Sequence, residues 1–446
     1  MLRWIDTIVP RRVLFQKDRT ILHLFLGRVV ASTGFAISIP FLGLYLHGTR
    51  GVPMTAVGGV FFLGAVAGAL GQIVGGEWCD RSGRRPVLIV SQILRSIAFL
   101  ALGLAVYWNG PFWMFALFTS LSGFAGRMYE PPSAAVITDI TEGEARAEGF
   151  GVLRIGGNLG WAVGPALGGF LAALSYSTLF YAAAIVVGVG GALVGIFVRE
   201  TMPVRKRQAE DPEMMEAVTS TGIPEVGPTF RGFHMRLKEM FSELGDPVFL
   251  RYCLATFLLF TVMAQLISTL SVYAVEWRGL TRIQLGVLFA LNGLVVVLFQ
   301  FPAVRATAKG RMTTVVMIGC ALYGVGYGML GLGGGMALAC VAMFVVSMGE
   351  IVAIPASMSL ASNFSTEATR GRIMGIYGLF NSFGWSVGPL LGGILLDLAR
   401  RNALAVWGTI AALAGIAILG YGDVRRRIDP AMDRNLEGEP ARAQVA

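Results

Sequence analysis

Charge is scarce in this chain. Only 14% of its 446 residues are Asp, Glu, Lys or Arg, and 55% are hydrophobic, against about a quarter charged in a soluble domain. That balance excludes a protein whose main solvent is water. Cysteine is nearly missing: Cys79, Cys253, Cys320 and Cys340 lie in or beside apolar runs without paired spacing, so neither a disulfide framework nor a zinc site is expected. The three histidines, His23, His47 and His234, are scattered and make no ligand cluster. Only four lysines exist, and none sits in a G-x-x-x-x-G-K-[ST] loop, which argues against ATP hydrolysis by the chain itself. No nucleophile–base or metal constellation appears. The chain is therefore read as no enzyme, with no catalytic residues, no metal and no cofactor, a proton gradient being its expected energy source.

Long apolar runs are what the sequence has in excess. Windows of about 20 apolar residues span a bilayer, and twelve occur: 21–46, 55–78, 86–108, 111–138, 149–173, 178–198, 248–274, 282–304, 312–331, 336–361, 371–398 and 403–422. Six fall in each half. With the N-terminus inside, 27 of the 36 Lys and Arg lie in cytoplasmic segments, four within spans (Arg28, Arg95, Arg127, Arg154) and five outside (Arg50, Arg278, Arg282, Arg400, Arg401). The net charge of +9 is thus a positive-inside signal that places both termini in the cytoplasm, and nucleic acid is not an expected partner. The first run is long and follows about 20 mixed residues, unlike a cleaved signal peptide.

The halves repeat each other. Residues 146–171 and 370–395 align without a gap at 11 of 26 positions. Gly160/Gly384, Trp161/Trp385, Gly164/Gly388, Pro165/Pro389, Gly168/Gly392 and Gly169/Gly393 are all separated by 224 residues. Glycines at this spacing flatten one helix face for close approach, and the proline permits a bend. Half-chain repeats in an apolar protein mark secondary transporters, whose site lies at the interface of the repeats. The expected layout is a cytoplasmic segment 1–20, a six-helix bundle 21–198, a linker 199–246, a second bundle 247–424 and a tail 425–446. Within the linker, Phe230, Phe233, Leu237, Phe241 and Leu244 recur at helical spacing. They suggest an amphipathic helix on the inner leaflet or a partly helical tether. The tail reads as polar and disordered from Arg425 onward.

Between the second and third windows stands Gly76-Glu-Trp-Cys-Asp80-Arg81-Ser-Gly83-Arg84-Arg85. A tight turn between antiparallel helices needs the backbone freedom of Gly83. Asp80, near a helix C-terminus, opposes the helix dipole and calls for a cation, for which Arg84 is the nearest candidate. Asp139 lies at the same depth. An Asp80, Arg84, Asp139 cluster is expected to latch helices in one conformational state.

That ordered string resembles the loop signature of the major facilitator superfamily. Gly160, Gly164, Pro165, Gly168 and Gly169 are similar to the fifth-span signature associated there with proton-coupled drug antiporters. The resemblance covers nearly the whole chain. It implies an all-α membrane protein of twelve helices in two pseudo-symmetric six-helix bundles, working by alternating access in a bacterial inner membrane, here expected as a monomer. Two departures follow. Val304-Arg-Ala-Thr-Ala-Lys-Gly-Arg311 has no aspartate, so the latch is expected to be asymmetric. The first span, Arg28 to Pro40, carries no acid where many such antiporters have one.

Charges inside a membrane cost at least ~2.5 kcal/mol each and are functional candidates. Glu130 lies nine residues from Asp139, roughly 13 Å of helix rise, at a depth matching Arg28. An Arg28–Glu130 pair is expected, with Arg127 one turn away as competitor. Glu350 falls mid-way along the tenth window with no basic residue near it in its own helix, and is ranked first as proton carrier, ahead of Glu130. Arg95 and Arg154 are candidates either for anionic substrate groups or for pairing with carboxylates. Further cavity candidates are Tyr45, Asn158, Trp161, Gln265, Asn292, Gln300, Tyr377, Asn381 and Trp385. Few polar groups among many apolar ones suit lipophilic compounds. The expected function is proton-coupled efflux of such compounds. The alternatives are a sugar or metabolite facilitator or symporter, and a non-transporting receptor or scaffold of the same fold.

Overall fold

A backbone in lipid must satisfy its own hydrogen bonds, and helices do this within one segment. The computed structural model describes residues 19–142, 144–202, 243–307, 309–366 and 369–434, and every regular element among them is helical. The helices are α1 Thr20–Leu44, α2 Met54–Ser82, α3 Arg84–Tyr107, α4 Phe112–Met128, α5 Glu130–Ile140, α6 Glu144–Leu174, α7 Tyr176–Phe197, α8 Pro247–Met263, α9 Thr269–Val272, α10 Arg282–Thr307, α11 Met312–Gly331, α12 Met336–Asn363, α13 Arg370–Leu398 and α14 Ala403–Arg427. Ten spans among the described residues are long and apolar enough to cross a membrane. The other two expected windows hold α4 with α5, and α6. The chain is a multi-pass membrane protein.

The fourth window is one apolar run in sequence but two helices in space, meeting at Tyr129. The cause is Pro131 followed by Pro132: two consecutive residues without an N–H leave successive turns unbonded. The repeat-related α12 carries the single Pro355 and stays continuous.

The first and seventh spans end alike. Each widens into a π-helical turn, Tyr45–Thr49 or Tyr273–Trp277. Each then closes on a glycine of positive φ, Gly51 at 65° and Gly279 at 68°. The closing bonds match as well: Gly51 N–H donates to His47 O and Val52 N–H to Leu46 O, while Gly279 N–H donates to Val275 O and Leu280 N–H to Ala274 O. The internal repeat therefore extends beyond the glycine-rich helices.

Two compact units form, Met1–Gly227 with Ile267–Gly293, and Pro228–Leu266 with Leu294–Ala446. In the first, Ile21, Leu24, Leu88, Tyr129, Val136, Ile137, Val152 and Val194 form a buried cluster. In the second, Tyr252, Tyr323, Tyr327, Trp407 and Tyr421 are fully buried. Of the amphipathic run in the linker, Phe230, Phe233, Leu237 and Phe241 lie outside the described residues; Leu244 sits in a short 3-10 turn, Glu243–Gly245.

The tail departs from expectation at its start. α14 continues to Arg427, and residues 428–434 pack onto the second unit instead of being disordered. Asp433 is fully buried, and the Asn363 side-chain amide donates to Met432 O at 2.8 Å and to Arg434 O at 2.9 Å. Composition alone could not show that one acid and two carbonyls of a polar segment have partners waiting. Residues 435–446 lie outside the described residues.

Candidate functional site

The turn between α2 and α3 is made at Gly83, φ 97°; Gly76 faces Pro131 at the start of α5, where a Cβ would meet it only at ordinary contact distance. Arg84 is buried there. Its Nε donates to Asp139 Oδ2 at 3.0 Å and its Nη1 to Cys79 O at 3.0 Å, while Asp80 Oδ1 stands 3.6 Å away. The Asp80 side chain is 63% exposed and that of Asp139 14%, so Asp139 is the principal partner and Asp80 the outer one. Arg81 pairs with Glu77 at 2.5 Å on the exposed surface, and Arg85 donates through Nε and Nη2 to Gly195 O.

A residue not singled out from the sequence completes this group. Glu200 accepts from the backbone N–H groups of Arg84 (2.9 Å), Arg85 (3.1 Å), Thr201 (3.0 Å) and Met202 (2.9 Å). It caps the N-terminus of α3, where free N–H groups and the helix dipole favour an anion. Burial pushes its carboxyl up, but the four N–H donors outweigh this and hold it below the usual carboxylate range. Thr201 Oγ1 in turn donates to Asp139 Oδ2 at 2.9 Å, so the segment after α7 is tied to both the turn and α5. The only signal in the sequence was an acid just past the end of the sixth window.

The second unit reaches a similar result with different residues. Its loop acid is indeed absent, but Asp433, arriving from beyond α14, accepts from Arg311 Nε at 2.6 Å, from Thr313 N–H at 2.8 Å and from Thr313 Oγ1 at 2.7 Å. The Met312 N–H donates to the Asp433 carbonyl at 2.9 Å. One carboxylate thus caps α11 and neutralises the loop arginine.

Deeper in the first unit, Arg28 Nη1 and Glu130 Oε1 pair at 2.7 Å. Arg95 and Arg127 also lie within electrostatic reach of that carboxylate. Arg95 stacks over Phe35, 4.4 Å from guanidinium carbon to ring centroid, and lies 5.9 Å from the Phe99 centroid. Phe35 meets Trp161 edge to face at 6.0 Å. Arg154 is exposed on α6, Asn158 half-buried one turn beyond it, and Asn292 buried on α10. Tyr45 packs between Phe115 and Tyr176, within reach of Arg50.

In the second unit Glu350 is half-buried on α12, within electrostatic reach of Tyr323 and Tyr327 of α11. The two rings stack at 6.0 Å, and Tyr327 stacks on Trp407 at 5.3 Å. Gln265 is fully buried, its Nε2 donating to Thr261 O and Gly388 O; that amide nitrogen joins α8 to the glycine face of α13. Tyr377 is buried against Tyr252 and Phe260, whereas Gln300, Asn381 and Trp385 are half-buried. A hydroxyl cluster went unread in the sequence: Tyr252 Oη donates to Ser357 O at 2.7 Å, and Thr256 Oγ1 lies 2.9 Å from Tyr421 Oη.

The repeated glycines are packing surfaces in both units. Cβ atoms at Gly160, Gly164 and Gly168 would strike Ser32, Ala36 and Ile37 of α1, and one at Gly169 would strike Arg282 of α10. Gly384 and Gly388 stand in the same relation to Phe257 and Ala264 in the second unit. Pro165 and Pro389 are accommodated inside unbroken helices; Gly392 and Gly393 follow on α13.

The family model of the Major Facilitator Superfamily matches residues 24–365 and 253–444. The chain belongs to the major facilitator superfamily. Among its relatives, a Na(+), Li(+), K(+)/H(+) antiporter of Planococcus maritimus is 24% identical over 90% of this chain and 95% of its own. The multidrug resistance protein MdtH of Proteus mirabilis is 24% identical over 92% of this chain and 96% of its own. The crystal structure of a POT family transporter in complex with a thioalcohol conjugated peptide superposes with a TM-score of 0.71 at 17% identity, covering 94% of this chain and 99% of that one. As a member of the major facilitator superfamily the protein is a secondary transporter of small molecules and not an enzyme.

Proposed function

We propose that the protein expels small lipophilic compounds in exchange for protons, by alternating access across a bacterial inner membrane with both termini in the cytoplasm. The observation that carries the proposal is one intramembrane carboxylate in each unit, Glu130 and Glu350, on helices related by the repeat. Pro131 and Pro355 stand 224 residues apart. The two acids have different surroundings, guanidinium groups for one and tyrosine rings for the other, as a pair with unequal proton affinities would need. Protonation of Glu350 or Glu130 from outside displaces the substrate, and the proton leaves once the site reopens inside. Multidrug and antiporter relatives at 24% identity support this reading. The latch at Asp80, Arg84 and Asp139, with Glu200, then holds one state, and the glycine faces of α6 and α13 are where helices slide.

The test uses proteoliposomes carrying a pH dye. An inward proton gradient is imposed and lipophilic cations, neutral drugs, lipophilic anions and sugars are added in turn. Proton flux triggered by a lipophilic compound is the expected result. Saturable uptake of a sugar with no proton movement would make the protein a facilitator.

A further inference from the structure

Charge in the interior of the first unit does not balance. Along the described parts of α1 to α7, Glu77 and Asp80 lie near the end of α2, Asp139 near the end of α5 and Glu144 and Glu148 near the start of α6, and Glu130 alone lies at the junction of α4 and α5. Against it stand Arg28, Arg95 and Arg127, all within reach of its field. Glu130 carries one negative charge, and its ion pair is with Arg28. No carboxylate among the described residues lies within ion-pair distance of Arg95. A cation held in a low-dielectric interior without a counter-ion is costly; Arg127 is exposed, and Arg95 is the cation that the pairing of Glu130 with Arg28 leaves over.

The geometry around Arg95 shows what would offset it. Its guanidinium lies on Gly126, where a Cβ would come within 2.7 Å of its Cζ, and its face covers Phe35. The ring occupies the face and leaves the in-plane N–H groups to other partners; the buried Nε has no hydrogen-bond partner. The Nε of Arg28 is likewise without one, and lies over Gly157 of α6. Two planar forks with unspent donors suit a carboxylate, sulfonate or phosphate oxygen pair. Phe35, Phe99 and Trp161 beside them offer flat apolar surface to the body of the same molecule. The site is reachable, since the Arg28 and Glu130 side chains are 26% and 36% exposed.

We infer that the first unit binds an amphipathic organic anion, its acid group between Arg28 and Arg95 and its apolar body against Phe35 and Trp161. The inference rests on the transport reading above and narrows its substrate class from lipophilic compounds in general to acidic ones.

The test is binding, not flux, so that it can fail separately from the transport reading. Full-length protein in phosphatidylcholine nanodiscs is titrated with 1-naphthoate, 1-naphthamide and 1-naphthylmethylammonium, which share one ring system and differ in charge, and tryptophan quenching is followed. Naphthoate is expected to bind at least about tenfold tighter than the amide, with the ammonium weakest. Arg95→Gln is expected to remove the preference of naphthoate over the amide, and Arg95→Lys to restore part of it. The wild-type ranking needs no variant to fold. Equal affinities, a preference for the ammonium, or no saturable naphthoate binding overturns the assignment. Loss of naphthoate binding when phosphatidylglycerol replaces part of the lipid would give the site to lipid headgroups and also overturn it. Naphthoate binding without flux in proteoliposomes would keep the anion site and remove the transport reading.

Discussion

Asp433 and Arg311, 122 residues apart, meet at 2.6 Å, and the aspartate is fully buried. The carboxylate that the second half lacks in its loop comes from the other end of that half. In the first unit the same work is divided between Asp139, which binds Arg84, and Glu200, which caps α3. In the second, Asp433 does both.

Removing Asp433 leaves Arg311 and the start of α11 without their acceptor. Asp433→Ala is expected to destabilise the protein by about 1.5–3 kcal/mol, the range for hydrogen bonds to a charged group. Asp433→Asn keeps an acceptor for Thr313 N–H and should lose less. Thermal unfolding in detergent, comparing both variants with a chain ending at Arg427, checks this. The truncated chain should behave like Asp433→Ala.

Glu200 gives the protein an acid limb. Its folded carboxyl lies below the usual range, so it contributes stability above its unfolded pKa of about 4.3. That contribution falls away as pH drops through the lower folded value. Melting temperature measured from pH 7 to pH 3 should decline in this window, and Glu200→Gln should be less stable at pH 7 with a flatter decline. Equal slopes would mean that the carboxylate does not hold α3.

The glycine faces predict a contrast within one helix. Gly164→Ala and Gly168→Ala push a methyl group into α1, against Ala36 and against the backbone carbonyl of Ile37. Each should cost about 1–3 kcal/mol and slow transport. Gly151→Ala, on the same helix with nothing within 4 Å of the new Cβ, should be neutral or stabilising by up to about 1 kcal/mol. Melting curves of the three variants decide.

An organic monoanion leaving against an entering proton moves two charge equivalents in the direction an inside-negative potential favours, about 2.3 kcal/mol each per 100 mV. Exchange should therefore accelerate when a potassium gradient with valinomycin sets the potential that way in proteoliposomes. Efflux unaffected by potential would contradict exchange of this charge type.

How much of this the sequence disclosed depends on how local the signal was. The apolar windows and the glycine repeat are periodic, and helices follow periodicity directly. The Arg28–Glu130 pair was legible because two charges at one depth in an apolar setting have few partners. The Asp139–Arg84 contact followed from similar reasoning at the α2–α3 turn. Glu200 and Asp433 were not legible, because each is a single acid in a polar segment whose use depends on where α3 or α11 begins in space. The break at Tyr129 was written in Pro131 and Pro132 but lay hidden inside one apolar window. The cation excess around Arg95 needed the structure, because only packing shows that Arg95 lies in the field of Glu130 with no carboxylate of its own among the described residues.

The central claim is that intramembrane carboxylates couple protons to export, and it is tested most directly by substrate-triggered proton flux in proteoliposomes. Wild type is compared with Glu350→Gln, Glu130→Gln and the double variant. The account predicts flux in wild type, loss of proton movement with substrate binding retained in Glu350→Gln, and none in the double variant. Wild-type proton-coupled efflux persisting after both substitutions would contradict it.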